Sequence, residues 1–207
     1  MILLTIAILI ISVIIHEVAH GWAANALGDP TAKLQGRLSL NPVRHIDPVG
    51  SIIIPAILVI SQSSFLFGWA KPVPYNPYNL KNQRWGEAIV GSAGVLTNLF
   101  LAVVFALITR AAAGAGMMEF ALLAAVVVSV NLSLGIFNLL PIPPLDGYTV
   151  LRGLLPYKMS MVFRDFEERI ARGGIFSLIA ILFLFSYFLS APFGAFISAV
   201  FKFLVGV

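Results

Sequence analysis

Met1 to Ile15 contains no charged side chain and runs without a break into His16-Glu17-Val18-Ala19-His20-Gly21. Further apolar runs approach or exceed the roughly 20 residues a helix needs to cross a bilayer. The 207 residues are 59% hydrophobic and 11% charged, less than half the charged fraction of about 25% in an ordinary soluble domain. Backbone in lipid must satisfy its own hydrogen bonds, which leaves helices or closed barrels. The two-residue alternation of a barrel strand is absent. The chain therefore reads as an all-α polytopic membrane protein.

A carboxylate and two imidazoles at the end of such an apolar run cost free energy unless they are paired, ligated or solvated. Their spacing supplies a compensation. At about 3.6 residues per turn, His16 and His20 stack on one helix face and can reach one ion. Glu17 sits one residue round, beside that ion rather than on it. This is the H-E-x-x-H arrangement of two zinc ligands and a general base. The alternative, a structural polar cluster, requires three buried polar groups without a cation.

Cysteine is absent, which excludes disulfides and a thiolate zinc site. The net charge of +4 is not a nucleic-acid footprint, because the basic residues sit in short loops beside apolar runs. The N-terminal run lacks a basic leader and carries the motif, so it reads as a membrane helix rather than a cleavable signal.

In chain order, residues 2–27 read as the first helix, stopped by Gly28-Asp29-Pro30. Leu34 to Leu40 alternates weakly, a short strand signal. His45 and Asp47 read as a surface polar pair. Residues 49–67 are apolar but interrupted by Pro55, and Gly68 to Pro74 is proline-rich and extended. Helices follow over 88–110 and 120–140. Residues 148–172 hold most of the remaining charge and read as solvated or interfacial. Residues 174–190 can span, and 193–206, after Pro192, are short for a span. The core is expected over 1–155, with 156–207 in the same domain.

A catalytic zinc usually takes three protein ligands. Among the carboxylates beyond the motif, Asp146 stands out. It follows an apolar helix and Pro141-Ile142-Pro143-Pro144, and has no basic residue nearer than Arg152. For Asp146 to meet His16 and His20, the first helix and helix 120–140 must run the same way. Residues 48–87 must then begin and end on one side, as a re-entrant hairpin or a paired short span. That topology puts Lys33, Arg37, Arg44, Lys71, Lys81, Arg84, Arg152, Lys158, Arg164, Arg169 and Arg172 on one side, with Arg110 opposite. The crowded side is cytoplasmic by the positive-inside rule. The N-terminus is then outside and the zinc site towards the cytoplasm.

His16-Glu17-Val18-Ala19-His20, Gly94-x-x-x-Asn98 and Asn138-x-x-Pro141-x-Pro143-x-Leu145-Asp146-Gly147 together resemble the site-2 protease family of intramembrane zinc metalloproteases, over residues 1 to about 155. The resemblance implies a three-helix catalytic core with a re-entrant or short β segment and extra C-terminal helices. It implies one zinc held by His16, His20 and Asp146, with Glu17 catalytic and with Asn138 and Asn98 near substrate or the oxyanion. It also implies substrates that are transmembrane segments of other proteins, and an upstream site-1-type protease or regulatory partner. Neither a PDZ domain nor a nucleotide-sensing domain is recognisable, so the chain looks like a minimal member. Leu34–Leu40 and Gly68–Pro74 are candidates to hold unwound substrate as an added strand. The rival readings are a membrane metal transporter and a proteolytically inactive scaffold. The first needs ligands spread along a path, whereas here they converge at one end.

Overall fold

The computed structural model describes residues 2–60 and 69–206. Nine α-helices are present among them: α1 (Ile2–Ala26), α2 (Thr31–Leu34), α3 (Ile54–Ile60), α4 (Gly86–Gly114), α5 (Met118–Asn138), α6 (Asp146–Leu154), α7 (Tyr157–Arg172), α8 (Gly174–Leu184) and α9 (Ser190–Val205). No strand occurs among the described residues. Among the described residues, four stretches are long and apolar enough to cross a membrane: Leu3–Ala26, Gly86–Gly114, Met118–Asn138 and Gly174–Val205.

Helix α4 is the centre. It packs on α1, α5 and α6, and α9 lies along α4 and α5. The contacts are made by small residues: Ala102, Ala106, Ala112, Ala121 and Ala124 are buried, and a side chain at Gly135 would strike Leu99. Association in lipid gains nothing from moving apolar surface out of water, so close backbone approach carries it. The large side chains point outward instead. Ile10, Leu96, Phe100, Leu107, Leu122 and Phe183 are exposed, as a lipid-facing surface requires.

Several expectations change. Leu34 to Leu40 is not a strand. The chain turns at Gly36, whose φ is +63°, and Arg37 N–H bonds back to the Ala32 carbonyl, so no ladder partner is available. His45 is buried at 2% exposure and not on the surface. Its Nε2 donates to the Ser39 carbonyl, while Asp47 separately caps the helical turn Pro48–Ile53. Residues 148–172 are helical, and their charges are not all solvated. Glu87 accepts from Arg164 at 2.6 Å and from Arg152 at 2.9 Å, and Arg152 also pairs with Glu167. This cluster ties α7 and α6 to the start of α4. At the C-terminus, Pro192 does not end a helix. It falls in the first turn of α9, directly after a π-helical turn. A π-helical turn at Phe185–Leu189 joins α8 to α9 in one run.

Pro48 to Ile60 is helical over thirteen residues, about 20 Å at 1.5 Å per residue, short of the roughly 30 Å hydrocarbon core. Residues 61–68, which include most of the apolar run's second half, lie outside the described residues. The two ends of the excursion meet. Trp69 N–H donates to the Gly50 carbonyl at 3.1 Å, and Ser51 Oγ donates to the Trp69 carbonyl at 2.8 Å. The chain thus leaves and returns at one place.

Asp29 fastens the returning chain to the end of α1. Its carboxylate accepts from Thr31 Oγ1 at 2.6 Å, from Asn79 Nδ2 at 2.8 Å and from Asn76 N–H at 2.7 Å. Burial alone opposes its ionisation, but these donors outweigh burial and hold the carboxyl below its ordinary range. Because the folded pKa is depressed, the stabilisation is complete above the unfolded value of about 3.9 and is lost as pH falls through the lower folded value. Asp29→Asn is expected to destabilise the detergent-solubilised protein by about 1.5–3 kcal/mol at neutral pH, the scale of one hydrogen bond to a charge, and to weaken its acid dependence. Thermal unfolding of both proteins between pH 7 and 3 measures this.

Candidate metal centre

Three helix ends meet beside the loop 69–76. His16 and His20 come from the second half of α1, and Gly94 comes from the third turn of α4. Asp146 is the first residue of α6. Leu140 to Leu145 is a tight turn, with Ile142 N–H bonded to the Leu140 carbonyl and Leu145 N–H to the Ile142 carbonyl. Gly147 closes it, since a Cβ there would lie 2.1 Å from the Leu139 carbonyl oxygen. Only glycine lets α6 start so close to the end of α5, and that closeness brings Asp146 over α1.

His16 Nε2 lies 2.9 Å from Asp146 Oδ2, His20 Nε2 lies 3.2 Å from the same oxygen, and the two Nε2 atoms are 3.1 Å apart. Both imidazoles are buried, at 6% and 9% exposure. Asp146 Oδ2 is buried and takes no hydrogen bond. Each imidazole is held from behind. His16 Nδ1 bonds Asn98 Oδ1, and His20 Nδ1 bonds the Val90 carbonyl at 2.7 Å.

The donor set fits a zinc ion. Two imidazole nitrogens and one carboxylate oxygen are ordinary zinc ligands, and tetrahedral bonds of about 2.0–2.1 Å put ligand atoms about 3.3 Å apart. The three atoms here are only a few tenths of an ångström closer than that. Gly94 leaves the room. A Cβ there would lie 2.5 Å from His20 Nε2 and 2.7 Å from His16 Nε2, so any side chain would fill the space in front of both rings.

Glu17 lies one residue round α1 from His16. Its Oε2 accepts the Val73 N–H at 2.8 Å. Gly21, one turn on, is bare against Val73 and Leu38, which lets the 69–76 segment lie close to the helix. Arg37, buried, donates to the Lys71 carbonyl at 2.6 Å and fixes that segment from its other end. Lys71 N–H bonds the His45 carbonyl. The N–H groups of residues 69, 71 and 73 are therefore all used within the chain. Of residues 70, 72 and 74, two are proline. On the opposite edge of the segment the two prolines remove N–H donors and leave carbonyl acceptors.

The two asparagines make different contacts. Asn98 is completely buried behind His16, where it touches a ring and not an open surface. Asn138 ends α5 and donates to the Leu134 carbonyl, one turn back on its own helix. Sequence reasoning passed over Val90, whose backbone holds His20. A carbonyl is invisible in a residue pattern, so no signal was available for it. It also passed over the Glu87 cluster, whose carboxylate sits at a helix start, where a solvated acid is common.

Apolar helices of membrane-spanning length with a histidine-histidine-aspartate cluster among them have the architecture of a membrane metalloprotein. The profile of Peptidase family M50 matches residues 108–181. YwhC of Bacillus subtilis, which carries a provisional zinc-metalloprotease name, is 42% identical over 158 residues, spanning 72% of this chain and 67% of that protein. Rip2 of Mycolicibacterium smegmatis, similarly named, is 32% identical over 149 residues, with 72% of this chain and 56% of Rip2 aligned. Rip2 of Mycobacterium tuberculosis (strain Erdman) is 30% identical over 174 residues, with 75% and 62% aligned. The chain thus spans little more than half the length of the mycobacterial relatives. No solved structure matches significantly. The chain belongs to peptidase family M50, a family of zinc metalloproteases.

Gly94→Ala tests the space in front of the rings. Bound zinc in the purified variant, measured by elemental analysis, is expected to fall at least tenfold below wild type, while the α-helical circular dichroism is unchanged.

Proposed function

We propose that this chain is an intramembrane zinc metalloprotease that hydrolyses peptide bonds in transmembrane segments of other membrane proteins. The observation that carries this reading is the convergence of His16 Nε2, His20 Nε2 and Asp146 Oδ2 within 3.2 Å of one another, at the end of apolar helices. His16, His20 and Asp146 hold one zinc ion per chain, and Glu17 is the catalytic acid–base. Residues 1–155 form the protease core, and 156–207 complete the same domain. The N-terminus lies outside and the metal centre towards the cytoplasm, on the side where eleven of the thirteen basic residues fall.

Zinc in this position supplies Lewis-acid activation of water and of the scissile carbonyl. The chain's own residues do the rest. Val73 N–H holds Glu17 Oε2, so the carboxylate keeps one orientation while Oε1 takes the proton of the attacking water. Glu17 then delivers that proton to the leaving amine nitrogen. Asn138, at the mouth of the α5–α6 turn, donates to substrate backbone once its bond to Leu134 is released. The helical substrate must unwind locally, because its scissile carbonyl is otherwise held by its own helix. An upstream protease or regulatory partner that trims or presents the substrate fits that requirement.

Glu17→Gln is the test. It keeps the bond to Val73 N–H and loses the base, so cleavage of co-expressed tagged single-span proteins is expected to fall by about 10²–10⁴ with about one zinc per chain retained. Undiminished cleavage by Glu17→Gln would overturn the catalytic assignment, and wild type without bound metal would overturn the site.

A further inference from the structure

The residues that hold His16 from behind do not end at Asn98. Asn98 Nδ2 donates to Asn131 Oδ1 at 2.8 Å. Asn131 Nδ2 donates to Ser12 Oγ at 3.0 Å and to the Val127 carbonyl at 3.0 Å. Asn98 and Asn131 have no exposure, and Ser12 has 3%. The ladder joins α1, α4 and α5 in the middle of the bundle, one helical turn from the metal centre. Buried polar groups at this depth are costly unless every donor and acceptor is matched.

We propose that Asn131 is a positioning residue that, through Asn98, sets which nitrogen of His16 faces the metal; this rests on the metal centre proposed above. The logic begins at Val127. A backbone carbonyl only accepts, so the Asn131 atom facing it must be the NH₂. Asn131 Oδ1 therefore faces Asn98 and needs a donor, which fixes the Asn98 NH₂ on that side. Asn98 Oδ1 is left facing His16, and an acceptor there requires the proton on His16 Nδ1. His16 Nε2 then carries the lone pair, the form that ligates a metal. Ser12 Oγ both donates and accepts, so it fills the ladder without deciding its direction.

His20 reaches the same state in one step, because the Val90 carbonyl accepts from its Nδ1 directly. His16 faces no carbonyl at that position and depends on two side-chain amides pointing the right way. An amide can turn over. With Asn131 removed, only the long 3.5 Å contact of Asn98 Nδ2 with the Ser12 carbonyl opposes a flip that presents the NH₂ to His16 Nδ1. The proton then sits on Nε2, and the ligand is lost.

The test uses the purified full chain in detergent micelles. Asn131→Leu is expected to weaken zinc binding, measured by chelator competition, by 10–100-fold, the usual loss when a ligand's supporting hydrogen bond is removed. Adding Asn98→Asp to that variant offers His16 acceptors only, whichever way the group turns. The double variant is expected to recover zinc binding to within about threefold of wild type, which a purely structural role for Asn131 does not predict. Nitrogen-15 NMR of the histidines in zinc-free wild type gives a reading that needs no variant: Asn98 Oδ1 requires a proton on His16 Nδ1, whatever Nε2 shares with Asp146. Zinc binding within twofold of wild type in Asn131→Leu, no recovery in the double variant, or a His16 Nδ1 that carries no proton would each overturn the proposal. Wild type that takes up no zinc would instead remove the metal centre, while the His16 tautomer in the same sample still reports on the ladder.

Discussion

Two imidazole nitrogens and a carboxylate oxygen, all buried and all within 3.2 Å of one another, are three acceptors pointing at one spot. Their mutual repulsion in a medium of low dielectric is large, and a cation between them removes it. Much of the surrounding structure serves that arrangement. The turn after α5 is short enough to bring Asp146 back over α1, and Gly147 permits the contact. Gly94 keeps α4 from filling the space the cation needs. Val90 and Asn98, both on α4, turn the two rings.

A second set of supports lies at and beyond the ends of the membrane helices. Asp29, Arg37 and the Glu87–Arg152–Arg164–Glu167 cluster hold the chain around the metal centre by ionic and charge-assisted bonds rather than by apolar burial. Asp29 and Arg37 fix the returning 69–76 segment, which in turn presents Val73 N–H to Glu17. The charge cluster clamps α6 and α7 on the start of α4, and α6 carries Asp146. Polar attachments suit this position, because the apolar faces of the helices are already committed to lipid and to each other.

Much of the site was legible in the sequence because each of its residues is anomalous where it stands. Imidazoles and a carboxylate end an uncharged run, and Asp146 follows a span with no nearby base. Their four-residue and helix-end placements translate directly into shared faces. The loops were less legible. Alternation at Leu34 to Leu40 resembles a strand, but a strand exists only with a neighbour to pair with, and none is supplied. His45 and Glu87 resemble ordinary surface charges, and only their tertiary surroundings bury them.

By itself the sequence determined that the chain spans a membrane as helices, because its apolar runs leave lipid-embedded backbone no other way to satisfy its hydrogen bonds. It also put the two imidazoles on one face, since His16 and His20 stand four residues apart on a helix. Tertiary structure decided the remainder: which carbonyl holds His20, which way the Asn98 amide points, which backbone N–H receives Glu17, and whether residues 69–76 keep donors for another chain. These depend on atoms brought together from α1, α4, α5 and the intervening loop. Hydrogen bonds form over about 3 Å, a distance that residue order along a chain does not encode.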